Sequence, residues 1–102
     1  MERIRVLIAD DHTLFRSGLH ALLNLFSDIQ VIGEASTGEE TISKAEALQP
    51  DVILMDIQMP DMDGIETTRR LRSYPHMQSV VIVALTALAM PQDRERCLAA
   101  GM

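Results

Sequence analysis

Four short apolar segments, each rich in β-branched residues, alternate along the chain with segments of helical periodicity. The apolar segments are IRVLIA (4–9), IQVIGEA (29–35), DVILM (51–55) and SVVIVAL (79–85). Segments of this length and composition are typical of strands. The first, third and fourth are almost continuously apolar, which predicts burial on both faces, as in a parallel sheet. This pattern limits the chain to an α/β fold in which helices cross over between parallel strands.

Helical spacing and helix-end signals occupy the segments between and after these strands. The first segment has one apolar stripe at helical spacing, formed by Phe15, Leu19, Leu22 and Phe26. The second opens with Thr37 followed three residues later by Glu40, which is the pattern of a capping box, and Asp63 opens the third in the same way. In the last, Pro91 suits a first helical position and Gly101 suits the residue just past a helix end.

The resulting order, strand and helix in strict alternation, predicts a doubly wound parallel sheet. Of the two common strand orders, the order 2-1-3-4 suits a chain of 102 residues. It places the first and third strands side by side at the point where the winding direction reverses. A ligand crevice is expected at their carboxyl ends.

Length and charge restrict the classes of function. The 102 residues suffice for a single domain, 1–102, with one core. A net charge of −6 disfavours nucleic acid and anionic membranes, and we interpret Arg69, Arg70 and Arg72, the densest basic cluster, as a solvated helix face. Cys97 is the only cysteine, so neither an internal disulfide nor a multi-cysteine metal site is expected, and a cytoplasmic location fits. No apolar run approaches the roughly 18 residues of a membrane span.

Acidic residues follow two strands that the predicted topology places side by side. Asp10 and Asp11 come directly after the first strand, and Asp56 directly after the third. Because carboxyl ends of neighbouring parallel strands share one edge of a sheet, we expect these side chains to converge. Three such carboxylates repel one another, so the cluster needs a cation, a shared proton or wide spacing. We expect only oxygen ligands, with no His or Cys in position, and such a set favours Mg²⁺ over Ca²⁺.

A magnesium ion beside a carboxylate that remains free to attack describes phosphoryl transfer to an aspartate. The fourth strand ends VIVALTA, which places the hydroxyl of Thr86 beside Asp56, where it can donate to a phosphoryl oxygen. We interpret Asp61 and Asp63 as turn and helix-cap residues, and His12, His20 and His76 as surface or helix-face residues.

Together, IADD (8–11), LMDIQMPDMDG (54–64) and ALTA (84–87) resemble the signature of receiver domains of bacterial two-component response regulators, over essentially the whole chain. The resemblance implies a flavodoxin-like, CheY-like fold. It implies that Asp56 is the phosphoacceptor and Thr86 the switch hydroxyl. It also implies that Mg²⁺ is held by Asp10, Asp11, Asp56 and the backbone carbonyl of Gln58. The expected phosphoryl donor is a phosphohistidine on a sensor histidine kinase or phosphotransfer protein, and no enzymatic activity is expected beyond self-catalysed aspartyl phosphorylation and dephosphorylation.

The sequence departs from that family at its end and in the character of its two halves. Family members have five strands and five helices, with a lysine on the fifth strand that pairs with the phosphoryl group, whereas this sequence ends at LAAGM, where that strand would begin. Slower phosphorylation or an impaired signalling readout is therefore expected. The exposed edge at 80–85 predicts either a dimer or strand-exchanged assembly, or marginal stability. The N-terminal half resembles receivers of helix-turn-helix regulators, and the C-terminal part resembles receivers of hybrid histidine kinases.

Two alternatives remain. One is a receiver-like interaction or dimerisation module with impaired phosphorylation, which the absent lysine favours. The other is a Mg²⁺-dependent aspartyl-phosphate phosphatase or mutase, which is disfavoured because those enzymes generally have Asp two residues after the nucleophile, where this chain has Gln58.

Overall fold

Strands and helices alternate in the structure as the apolar pattern predicts. The computed structural model describes residues 3–85 and 91–102. The strands in these ranges are β1 (Ile4–Ala9), β2 (Ile29–Ala35), β3 (Val52–Asp56) and β4 (Val81–Leu85), and the helices are α1 (Thr13–Leu23), α2 (Gly38–Leu48), α3 (Gly64–Arg72) and α4 (Pro91–Ala100). A short 3₁₀ turn at Pro75–Met77 precedes β4. The strands form one parallel sheet in the order β2-β1-β3-β4, which confirms the predicted doubly wound topology.

The predicted helix ends are present. The Thr37 hydroxyl accepts a hydrogen bond from the backbone N–H of Glu40 at 3.1 Å, and the Asp63 carboxylate accepts one from the N–H of Glu66 at 2.8 Å. Each bond satisfies a backbone donor that the first turn of a helix leaves unpaired. Gly101 follows α4 with φ at 108°, the left-handed conformation that glycine adopts without strain.

The main core lies between one face of the sheet and helices α2 and α3. Alternate residues of the central strands, including Leu7 of β1 and Ile53 of β3, are fully buried there. They pack in one cluster with Ala45 of α2 and Leu71 of α3. Because the side chains of a strand alternate between its two faces, this cluster uses one face of each strand.

The basic cluster of α3 divides into two parts. Arg69 and Arg70 are exposed and pair with Glu66, as a solvated helix face predicts. Arg72 departs from the prediction, because its guanidinium donates to the carbonyl oxygen of Gly101 at 2.8 and 3.0 Å. It therefore ties the end of α3 to the end of α4.

At β4 the opposite face of the sheet is more exposed than the sequence predicts. Val81 and Val83 of β4 are 54% and 43% exposed, so the prediction that the fourth strand is buried on both faces is wrong. The stripe predicted for the first helix is also largely exposed, with Phe15 at 50% and Leu22 at 54%, and Phe26 lies beyond the last residue of α1. Val81 and Val83 are exposed because of their position in the sheet: α1 contacts β1 and β2, whereas β4 lies on the far side of β3.

Among the described residues, no helix combines the length and the apolar character needed to cross a bilayer.

Candidate functional site: an acidic crevice at the carboxyl ends of β1 and β3

The predicted convergence of acidic side chains is present at one edge of the sheet. Ala9, the last residue of β1, pairs with Met55 of β3, so the residues that follow them emerge side by side. One carboxylate oxygen from each of Asp10, Asp11 and Asp56 lies within 4.8 Å of the others. The side chain of Asp10 is 5% exposed and that of Asp56 13%, whereas that of Asp11 is 32% exposed. The site is therefore a crevice with a buried floor and an open rim.

The burial and charge of this crevice act on Asp56. Burial raises the pKa of the Asp56 carboxyl above its usual value, and the negative charges of Asp10 and Asp11 raise it further. A backbone hydrogen bond opposes the shift, because the N–H of Gln58 donates to Asp56 Oδ1 at 3.1 Å. The ionised form of Asp56 is therefore energetically unfavourable in the crevice, and a nearby cation would stabilise it.

His12 also lies in the crevice. Its Nδ1 atom is 3.2 Å from Asp10 Oδ1, 3.1 Å from Asp11 Oδ1 and 4.0 Å from Asp56 Oδ2. Its backbone N–H donates to Asp10 Oδ1 at 2.7 Å. The expectation that no histidine is in position is wrong, because His12 lies with the three aspartates, although the 71% exposure of its side chain agrees with a surface residue. The sequence signal for this placement is that His12 directly follows Asp10 and Asp11.

Arg16 of α1 supports the floor of the crevice from outside. Its Nη1 donates to the carbonyl oxygen of Asp10 at 2.5 Å, and its Nε donates to Glu34 Oε1 at 2.9 Å. His20 also contacts Glu34, with 2.8 Å between Nδ1 and Oε2. This hydrogen bond is the largest of the effects that lower the pKa of the Glu34 carboxyl. These contacts are not predictable from the sequence, because nothing in the spacing of Arg16 and Glu34 links them.

The loop after Asp56 is held by the other two aspartates, as predicted. Asp63 caps α3, and Asp61 accepts hydrogen bonds from the N–H groups of Gly38 at 2.7 Å and Glu39 at 3.0 Å. Although Asp61 is exposed, slight desolvation would by itself raise its pKa, but the hydrogen bonds from Glu39 and Gly38 outweigh this effect and lower the pKa. Asp61 therefore caps α2 and not the helix that follows it, which connects the loop to a second helix.

The donor set fits a hard divalent cation. Three carboxylates meet in one crevice, and burial together with mutual repulsion disfavours the ionised form of Asp56. Carboxylate oxygens are the side-chain ligands that Mg²⁺ prefers. Gln58 follows Asp56 by two residues in this loop, and the role of its carbonyl oxygen stays a prediction. Thr86, the predicted switch hydroxyl, lies outside the described residues.

Comparison with known proteins adds to this geometry. A family model described as the response regulator receiver domain matches residues 6–102. The chain belongs to the receiver domain family of response regulators. Among curated proteins, this receiver domain is 44% identical over 99 residues to response regulator GacA of Pseudomonas viridiflava, and the match covers 96% of the chain and 45% of GacA. The domain thus spans about half the length of the curated relatives it matches.

Solved structures support the same assignment. The receiver domain matches the signal receiver domain of the putative response regulator NarL from Mycobacterium tuberculosis with a TM-score of 0.90 and 34% identity, covering 99% of this chain and 80% of that one. It also matches the receiver domain of sensor histidine kinase PA1611 from Pseudomonas aeruginosa PAO1, with a TM-score of 0.86 and 34% identity, covering 98% and 80%. That structure has a magnesium ion coordinated in its active-site cleft. Receiver domains of both regulators and kinases therefore share this fold.

Proposed function

We propose that this receiver domain accepts a phosphoryl group on Asp56, in a Mg²⁺-dependent reaction, from a phosphohistidine on a sensor histidine kinase or phosphotransfer protein. The observation that carries the proposal is the convergence of Asp10, Asp11 and Asp56 within 4.8 Å at the carboxyl ends of two neighbouring strands. Family membership supports a role in two-component signal transduction. The chain spans about half the length of its curated relatives, and the proposal concerns the receiver domain alone.

The residues of the crevice have different roles in the proposed reaction. Asp56 Oδ1 accepts the N–H of Gln58, which leaves Oδ2 on the side of the acidic crevice. In the proposed step an Asp56 oxygen forms a bond to phosphorus, the phosphorus–nitrogen bond of the donor imidazole breaks, and the electron pair of that bond returns to the imidazole. Asp10, Asp11, Asp56 and the Gln58 carbonyl would hold Mg²⁺, which when bound neutralises charge on the phosphoryl oxygens.

The remaining assignments follow from this proposal. Thr86 is proposed to donate its hydroxyl to a phosphoryl oxygen. The domain catalyses only its own phosphorylation and dephosphorylation and acts on no separate substrate. The comparisons do not favour the alternative of a receiver-like module with impaired phosphorylation. A cytoplasmic location stays a prediction.

Phosphorylation of the purified chain tests the proposal. With Mg²⁺ and a small-molecule phosphodonor such as acetyl phosphate, mass spectrometry should detect one phosphoryl adduct that hydroxylamine removes, as an acyl phosphate requires. Asp56→Asn should abolish the adduct, and chelation of the metal should suppress it. Asp63→Asn is the matched control, because it changes a carboxylate of the same segment while asparagine still caps α3. An adduct that persists in Asp56→Asn would refute the assignment.

We further propose that β4 pairs with a second copy of the chain. In the described part of the chain β4 pairs with β3 on one side, at the end of the sheet order, and its Val81 and Val83 side chains are exposed. An apolar edge strand is a template for association. Sedimentation velocity should show a dimer whose population falls in Val83→Lys, because a charge on this strand disfavours pairing. A monodisperse monomer of the unaltered chain across the micromolar range contradicts this proposal.

A further inference from the structure

We propose that His12 is a metal ligand of this site, through Nδ1, and that it enables Asp10, Asp11 and Asp56 to bind a transition ion of the Zn²⁺ class in competition with Mg²⁺. This inference rests on the metal site of the proposed function and concerns which ion that site selects. It does not concern the phosphoryl transfer itself.

The position of the imidazole carries the inference. Nδ1 lies 3.2 and 3.1 Å from one oxygen each of Asp10 and Asp11, and 4.0 Å from Asp56 Oδ2. The four candidate ligand atoms, three oxygens and this nitrogen, all lie within 4.8 Å of one another. A single ion can contact atoms so arranged, since ligand atoms on opposite sides of a Zn²⁺ ion are about 4 Å apart at the usual bond lengths.

The place of His12 in its helix shows that the imidazole has no capping role. His12 is the N-cap residue of α1, the position from which a side chain usually accepts a hydrogen bond from the first turn. Its side chain makes no such bond. The ring instead faces the carboxylates, while the backbone N–H of His12 donates to one of them, Asp10. The backbone and the ring of one residue therefore both serve the acidic crevice.

An imidazole ligand changes which metal ion the site prefers. Carboxylates alone suit Mg²⁺, whereas an imidazole nitrogen suits Zn²⁺, Ni²⁺ and their neighbours. An added nitrogen ligand therefore raises the affinity for Zn²⁺ far more than the affinity for Mg²⁺. The same three carboxylates serve both ions, so Zn²⁺ and Mg²⁺ exclude each other from the crevice.

Two measurements test this inference on the purified chain. The first is the ¹⁵N chemical shift of the histidine side chains as Zn²⁺ or Mg²⁺ is added, because direct ligation moves the resonance of the bound nitrogen. We expect Zn²⁺ to shift the Nδ1 resonance of His12, and Mg²⁺ to leave it unligated. The second is calorimetric titration with each ion. In His12→Ala the ratio of Zn²⁺ to Mg²⁺ association constants should fall at least about tenfold, the scale of losing one supporting group at a metal site.

Matched variants keep the outcome interpretable. His76→Ala removes another exposed imidazole, beside Tyr74, and should leave the ratio unchanged. His12→Asn replaces the nitrogen ligand by an amide oxygen and should lower the ratio as His12→Ala does. If Zn²⁺ binds without moving the His12 resonance, or if His12→Ala leaves the ratio unchanged, the inference is overturned while the phosphoacceptor function stands. Loss of the phosphoryl adduct, in contrast, is measured with Mg²⁺ alone and bears on the proposed function only.

Discussion

Gly64→Ala is expected to lower the free energy of unfolding by about 3 kcal/mol, at the upper end of the usual cost of overpacking. An alanine Cβ at this position would lie 2.2 Å from the carbonyl oxygen of Asp56 and 2.9 Å from Met55 Cγ. The contact with the carbonyl is with backbone, so no side-chain rotation relieves it. Asp56 ends a strand that is paired on both sides, and the Gly64 N–H donates to the carbonyl oxygen of Ile57 at 2.7 Å. The clash therefore forces apart the start of α3 and the end of β3.

Chemical denaturation measures this change, and Gly18→Ala is its matched control. A Cβ at Gly18 would meet no atom within 4 Å, and Gly18 lies inside α1. The same substitution should there raise the free energy of unfolding by up to about 1 kcal/mol, because alanine favours a helix over glycine. In Gly64→Ala the yield of phosphoryl adduct should fall as well, since Asp56 moves. Equal stability of Gly64→Ala and the unaltered chain would show that the close approach is not a constraint.

Asp56→Asn is expected to change stability in opposite directions with and without metal. In a chelator at neutral pH it should raise the free energy of unfolding by about 1 kcal/mol, the size of a typical point-mutation effect, which is about 4–8 °C in Tm. The reason is that burial and the charges of Asp10 and Asp11 disfavour an ionised Asp56. Asparagine has the same shape and can still accept the N–H of Gln58. Mg²⁺ at 100 times its Kd should stabilise the unaltered chain by about 2.7 kcal/mol, and the variant by less.

The pH dependence of this effect has a definite sign. Since the folded-state pKa of Asp56 is raised, the protonated form is favoured in the folded state, and no penalty exists below the usual carboxyl value of 3.8. The penalty grows as pH rises from that value through the raised pKa, and above it the penalty is complete. The difference in Tm between Asp56→Asn and the unaltered chain should therefore vanish at acidic pH and reach a plateau at neutral pH. A metal-free variant that is less stable than the unaltered chain at neutral pH contradicts this account.

Much of the site could be predicted because it depends on strand ends. The length of an apolar run predicts where a parallel strand ends. The doubly wound strand order then determines which strands have neighbouring carboxyl ends. Asp10, Asp11 and Asp56 could therefore be placed together from sequence alone. The helix caps Thr37 and Asp63 were equally accessible, because each acts on residues of its own segment.

Other contacts were not accessible, because they depend on where loops and side chains meet in space. Asp61 caps α2 and not α3, which requires the loop after β3 to reach a helix that precedes it in the chain. Arg16 and Glu34 meet because α1 packs against β2. The exposed Val81 and Val83 show that an apolar run indicates a strand but does not state what covers its second face.

The sequence by itself determined the α/β order, the strand neighbours and the three aspartates of the crevice, because these follow from periodicity and from the chirality of crossover connections. Tertiary structure alone decided that the ring of His12 faces those aspartates and that one face of β4 stays exposed. The physical reason is that periodicity assigns a residue to an element and a face, whereas the direction of a side chain at an element's end depends on packing between elements.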